Sequence, residues 1–174
     1  MVDIIRNAAG AALLACAWVP VVYAYGAYGG QEWLAELFGN VISGCYLGMI
    51  PLSMLYGLLA LPGGSGWERR LTRSMIMKLL LIPFFIVNFW MGLAGTMVFF
   101  LGGLLLTWLA LLIAWLTLLA TSVDVMKALV LMRRERRLTA SRMVKHMIFQ
   151  LIYCVDVVDA SVLWLNRDTY VPET

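Results

Sequence analysis

The sequence predicts an all-α fold, a polytopic membrane helix bundle of about five transmembrane helices with no soluble domain. Three observations lead to this prediction. Of the 174 residues, 63% are hydrophobic and only 13% are charged, which is about half the charged share of an ordinary soluble domain. The hydrophobic residues form segments of about 20 residues, the length that crosses a bilayer. The basic residues are concentrated in alternate loops, as they are in multi-pass membrane proteins.

Five hydrophobic segments have the length of a transmembrane helix, at residues 4–25, 41–61, 79–100, 104–123 and 147–165. The first four reach this length without difficulty, whereas the fifth contains two aspartates. The third and fourth form one run that is too long for a single crossing, and the "LGG" stretch at 101–103 is the expected turn because glycine permits tight turns. Residues 1–174 are therefore expected to form a single helical membrane domain, with the N-terminal segment retained as a helix.

The charges of the loops predict the orientation of the helices. Lysine and arginine occur in the loops 62–78 and 127–146, whereas the loop after the first segment carries only Glu32 and Glu36. Because cytoplasmic loops carry the excess of basic residues, both basic loops and the N-terminus are expected in the cytoplasm. Five crossings would then place the C-terminus outside. The short loops and small size favour a bacterial inner membrane.

Small residues predict the faces along which the helices pack, because helices in lipid associate by close approach of small side chains. In the fourth segment such residues recur at steps of three and four, a spacing that places them on one face of a helix. This stripe comprises Gly103, Thr107, Ala110, Ala114, Thr117, Thr121, Asp124 and Ala128, and shorter sets are Gly44 with Gly48 and Asn88 with Gly92 and Thr96. Close packing within the bundle is the simplest interpretation.

Two aspartates, Asp156 and Asp159, lie in the middle of the fifth segment. Each charged residue at the centre of a transmembrane helix costs about 2.5–3.5 kcal/mol on insertion scales. We therefore expect this segment to insert only with its acidic face turned toward the other helices. No lysine or arginine is expected at the same depth, since Lys78 and Lys145 are placed at the cytoplasmic rim. A re-entrant or interfacial last segment is the alternative topology.

Several ways of accommodating these carboxylates remain open. They could be protonated, because burial and a second carboxylate both raise a carboxyl pKa. They could face a water-filled cavity or hold a cation. They could also accept hydrogen bonds from the other polar side chains of the apolar segments, namely Asn88, Thr96, Thr117 and Tyr153.

Three further polar residues, Asp124, His146 and Gln150, extend this set toward the cytoplasmic side. Asp124 precedes Lys127 by three residues, so a local ion pair is the simplest expectation. His146 is expected to be an interfacial histidine. His146 is also expected on the same side of the helix as Asp156, an arrangement that a proton relay could use.

The motifs of common enzyme classes are absent from the sequence, which has no Cys-x-x-Cys pair, no His-Glu-x-x-His and no phosphate-binding loop. We therefore expect no enzymatic activity, no metal or other cofactor, and no nucleic-acid partner. The preferred hypothesis is a non-enzymatic accessory, assembly or interaction component that works with another membrane protein or a second copy of itself. The alternative is a small oligomeric transporter or channel for protons or cations that uses Asp156 and Asp159.

Overall fold

The computed structural model describes residues 2–30, 32–61, 66–97, 103–152 and 155–170. Within these ranges the chain is helical and contains no strand, so the all-α prediction is confirmed. The elements are α1 (Val2–Tyr28), α2 (Glu32–Ala60), α3 (Trp67–Met97), α4 (Gly103–Arg134), α5 (Ala140–Phe149), α6 (Val155–Leu165) and a short 3-10 helix (Arg167–Thr169).

Three of the described helices are long and apolar enough to cross a membrane, judged by length and composition. They are α1 over Val2–Gly26, α3 and α4, while α2 contains the shorter apolar stretch Gly44–Ala60. Three helices extend well beyond the predicted segments, since α2 begins at Glu32, α3 begins at Trp67 and α4 ends at Arg134. Hydropathy marks only the apolar part of such a helix, and arginine, lysine and glutamate at its ends are good helix formers.

The fifth segment differs from its prediction. A single helix over 147–165 is wrong, because α5 ends at Phe149 and α6 begins at Val155. Residues 150–152 form a turn after α5. Residues 98–102, which include most of the predicted "LGG" turn, lie outside the described ranges.

Helices α5 and α6 form an antiparallel hairpin. His146 of α5 contacts Asp159 of α6, and Gln150, just after α5, contacts the backbone carbonyl of Asp156 near the start of α6. Residue numbers therefore rise along one helix as they fall along the other. A hydropathy pattern does not distinguish one long apolar helix from two short helices joined by a turn.

Contacts divide the chain into two units. The charged unit comprises residues 1–6, 56–79 and 118–174, and the apolar unit comprises residues 7–55 and 80–117. All 13 lysine and arginine residues fall in the charged unit. The buried charged side chains that the structure describes all lie in that unit.

The small-residue stripe of α4 is largely buried. Ala110, Ala114, Thr117, Thr121, Asp124 and Ala128 are at most 3% exposed, Gly103 is buried and Thr107 is half-buried. On the opposite side of the same helix, Leu105 and Trp108 are exposed. The face of α4 on which the small residues recur is therefore its buried face.

The glycines that allow close helix approach are not those that the sequence suggested. No described atom lies within 4 Å of a Cβ built at Gly44, Gly48 or Gly92. In the charged unit, a Cβ at Gly57 would lie 3.4 Å from the Cα of Ala120. In the apolar unit, a Cβ at Gly95 would lie 2.6 Å from the hydroxyl oxygen of Thr107, so Gly95 needs the absence of a side chain, whereas the contact at Gly57 is an ordinary van der Waals distance.

An apolar core holds α6 within the charged unit. Ala160 and Leu163 of α6 are fully buried. They belong to a cluster with residues from the start of α3 and the end of α4, namely Trp67, Leu71, Val125, Ala128, Leu129, Met132 and Leu138. The indole nitrogen of Trp164 also donates a hydrogen bond to the hydroxyl of Thr72, at 3.1 Å.

We predict that Leu163→Ala will lower the free energy of unfolding by about 2–5 kcal/mol, because it leaves a cavity in this core. The matched control is Leu165→Ala, the same change at a side chain that is 70% exposed. Thermal or denaturant unfolding of the purified protein measures both. Equal losses in the two variants would contradict the packing of α6 described here.

Candidate functional site: buried ion pairs of the charged unit

Lys78 of α3 is 1% exposed, and its ammonium group connects four parts of the charged unit. Its Nζ donates hydrogen bonds to the hydroxyl of Ser122 in α4, at 3.1 Å, and to the side-chain oxygen of Gln150 after α5. The same Nζ lies 2.9 Å from Oδ2 of Asp156 in α6, an ion pair without the alignment of a hydrogen bond. A buried ammonium requires partners of this kind because its loss of hydration is costly.

Asp159 continues this network toward the edge of the unit. One carboxylate oxygen lies 2.6 Å from Nδ1 of His146, and the other accepts a hydrogen bond from the amide nitrogen of Gln150, also at 2.6 Å. The His146 side chain is 18% exposed. A continuous series of contacts, which we call the Lys78 network, thus runs from His146 through Asp159 and Gln150 to Lys78.

The expectation that no lysine or arginine reaches these aspartates is wrong. Lys78 lies about 16 Å along α3 from Trp67, at 1.5 Å per helical residue. The hairpin brings the start of α6 to this level, where Asp156 meets Lys78. The expectation fails because it places Asp156 in the middle of one long helix, whereas Asp156 lies in the first turn of α6.

Asp124 of α4 is the centre of a second buried group. It is fully buried, and its Oδ1 accepts hydrogen bonds from Nη1 of Arg6 at 3.3 Å and from Nη1 of Arg70 at 3.1 Å. The hydroxyl of Tyr56 donates to Oδ2 at 3.3 Å. The described ion pairs of Asp124 are therefore with residues of α1 and α3, and the expected local pair with Lys127 is wrong. The buried face of α4 turns this carboxylate toward the neighbouring helices.

Among the described residues, the other candidates make hydrogen bonds that do not involve the aspartates. In the apolar unit, Asn88 accepts a hydrogen bond from the Tyr46 hydroxyl and donates one to the carbonyl of Ala110. Thr117 shares a hydrogen bond with Ser53. Thr96 donates to the carbonyl of Leu93 in its own helix, and Tyr153 lies outside the described residues.

Sequence reasoning missed the cations that hold these carboxylates. Arg6, Arg70 and Lys78 are each at most 1% exposed, although the sequence suggested that Arg70 and Lys78 were loop charges that set orientation. Arg6 offered a usable signal, because a cation inside an apolar segment requires a carboxylate partner. The stripe of α4 contains just such a carboxylate, Asp124.

The segment after α6 returns to the end of α4. Nη1 of Arg137 donates to the carbonyl of Tyr170 at 2.7 Å, and its guanidinium lies 5.5 Å from the centre of the Trp67 ring. Burial raises the pKa of the Tyr170 hydroxyl, the charge of Asp159 adds to this effect, and Arg142 opposes it. Tyr170 is therefore neutral at physiological pH.

Metal binding finds no support in the part of the chain that the structure describes, where no three His, Cys, Asp or Glu side chains come together. Asp124, Asp156 and Asp159 are instead held by cations, a histidine and an amide. This arrangement can hold the helices of the charged unit together.

Most of the residues in these ion pairs lie in a part of the chain that matches a protein-family model. The model of a family of unknown function, DUF6652, matches residues 64–169. The chain belongs to the DUF6652 family. The matched range contains α3 to α6, and with them the whole Lys78 network and Asp124, whereas Arg6 lies outside it. No curated protein and no solved structure matches the chain.

We predict that Lys78→Met will lower the free energy of unfolding by about 3–5 kcal/mol, because it leaves the carboxylate of Asp156 buried and unpaired. Adding Asp156→Leu should recover at least half of this loss, since both charges are then removed. Thermal unfolding of the two single variants and the double variant gives the coupling energy. Lys145→Met, at an exposed lysine, is the control that should change little. If the stability lost by the double variant equals the sum of the losses of the two single variants, the ion pair is contradicted.

Proposed function

We propose that this chain is a non-enzymatic integral membrane component that works as an accessory, assembly or interaction protein. The observation that carries the proposal is the internal pairing of Asp124, Asp156 and Asp159 within the charged unit. Carboxylates held by their own chain serve to position helices. They are poor sites for a transported cation, which would have to displace a guanidinium or an ammonium.

The exposed surface of the long helices supports the membrane setting. Large apolar side chains such as Trp90, Met97, Leu105 and Trp108 are more than 60% exposed, on helices long and apolar enough to cross a membrane. Lipid is the solvent in which such a surface is stable. Gly44 on the exposed side of α2 offers a small-residue surface to a membrane-protein partner or a second copy.

The hairpin leads to a proposed topology that differs from five crossings. All lysine and arginine residues lie in the charged unit, which favours the cytoplasmic side of a plasma membrane such as a bacterial inner membrane. Helix α5 would enter from that side and α6 would return to it. The C-terminus would then lie on the same side as the N-terminus.

We predict that Thr169→Cys, in a protein whose three native cysteines are replaced by serine, will react with a membrane-impermeant maleimide only after the cells are opened. Ser141→Cys, in the first turn of α5, should behave in the same way. Trp33→Cys, an exposed position at the start of α2, should react in intact cells. Labelling of Thr169→Cys in intact cells would contradict this topology and support five crossings.

One observation favours a second candidate function, a small oligomeric proton or cation transporter. The Lys78 network links the partly exposed His146 to the fully buried Lys78 through Asp159 and Gln150. Buried ionisable groups joined by hydrogen bonds are typical of proton routes through membrane proteins, although here the amide of Gln150 stands between Asp159 and Lys78.

We predict that the protein in proteoliposomes will give no proton or monovalent-cation flux above that of protein-free vesicles, because its carboxylates are paired internally. Asp159→Asn and Asp168→Asn are compared with the unmodified chain, and Asp168 is the control because its side chain is 89% exposed. A flux that Asp159→Asn abolishes and Asp168→Asn preserves would replace the accessory function with transport.

A further inference from the structure

Four basic residues of the charged unit meet where α1 and α3 begin and α4 approaches its end. We call Arg6, Arg70, Arg73 and Lys127 the cationic cluster. Arg6 and Arg70 share Oδ1 of Asp124. Arg6 and Arg73 both approach Oδ1 of Asp3, at 2.6 and 3.9 Å. Lys127 lies one helical turn after Asp124 and interacts electrostatically with Asp124, Arg70 and Arg6.

The charges of this cluster do not balance. The described ion pairs of Arg6, Arg70 and Arg73 are with two carboxylates, Asp124 and Asp3, and Lys127 adds a fourth positive charge nearby. Asp3 is 53% exposed, so water screens its charge, whereas Arg6 and Arg70 are at most 1% exposed. Like charges held together away from water repel one another strongly. The cluster therefore has an excess of positive charge that a bound anion would neutralise.

Two hydrogen-bond donors of the cluster are buried without an acceptor. Nε of Arg6 and Nη1 of Arg73 have no hydrogen-bond partner in the described structure. The 3.9 Å separation between Arg73 and Asp3 is too long for a hydrogen bond. Buried N–H groups are nearly always satisfied in native proteins, so two such donors in one cationic cluster indicate a missing acceptor.

We propose that the cationic cluster binds the phosphate group of an anionic ligand. Guanidinium groups match phosphate in charge and geometry, and a lysine adds a point charge. The cluster lies in the first turns of two helices that are long enough to cross a membrane, the level at which phospholipid headgroups are found. A phospholipid headgroup and free phosphate share this chemistry. The proposal extends beyond the accessory function and does not depend on it.

The experiment measures ligand-dependent thermal unfolding of the full chain, purified in a neutral detergent and stripped of lipid. Dioleoylphosphatidylglycerol and inorganic phosphate are titrated separately at constant ionic strength. A ligand that binds only the folded chain raises its unfolding temperature in proportion to occupancy. We expect saturable stabilisation by at least one of them. Stabilisation by the lipid alone identifies a headgroup site, and stabilisation by both identifies a site for phosphate itself.

Two variants test the residues. Arg73→Gln and Lys127→Gln should each weaken binding on the order of tenfold, the loss expected for one charge-assisted contact. Both side chains are partly exposed, so the fold should survive. Arg69→Gln, at the exposed arginine beside Arg70, removes the same charge outside the cluster and should bind as the unmodified chain does. Lys127→Arg should restore the affinity that Lys127→Gln loses.

Three results would overturn the proposal. The first is the absence of stabilisation by either ligand. The second is equal weakening by Arg69→Gln and Arg73→Gln, which would indicate a general effect of net charge. The third is binding by Lys127→Arg that stays as weak as binding by Lys127→Gln, which would show that charge at this position is not what the ligand requires.

Discussion

The ammonium group of Lys78 is the contact on which the arrangement of the charged unit depends. It joins α3 to Ser122 of α4, to Gln150 after α5 and to Asp156 of α6. A charge in an apolar interior cannot remain without partners, so the turn after α5 must bring α6 back along α3. A buried ion pair adds little net stability compared with apolar packing. We therefore interpret this one as a device that selects a single arrangement of the hairpin.

Asp124 connects α1, α3 and α4 through its ion pairs, as Lys78 connects α3, α4 and α6. The two groups differ in their balance of positive and negative charge. The Lys78 network contains one lysine, two aspartates and a histidine, all in contact with one another or through Gln150. The cluster around Asp124 has more cations than carboxylates and two unsatisfied donors. The carboxylates of the first group are paired with a lysine, a histidine and an amide, whereas the second group holds two donors that an anion would satisfy.

The distribution of charge along the chain connects these groups with the proposed role. Only Glu32 and Glu36 carry charge in the apolar unit, and large apolar side chains dominate its exposed surface. The range shared with the DUF6652 family holds both carboxylate centres. An apolar exposed surface, together with carboxylates that are paired within the charged unit, is what supports the proposed accessory role.

The sequence alone determined the helical class, the main apolar helices and the buried face of α4. It did so because apolar length and the helical period are local properties that tertiary context rarely overrides. It did not determine the break between α5 and α6, since a largely apolar run of 19 residues fits one helix or two short ones. Nor did it identify the pairs Lys78–Asp156 and Arg6–Asp124, whose members are far apart in the chain. Only the tertiary structure decided these, because the partner of a buried charge depends on which helices become neighbours.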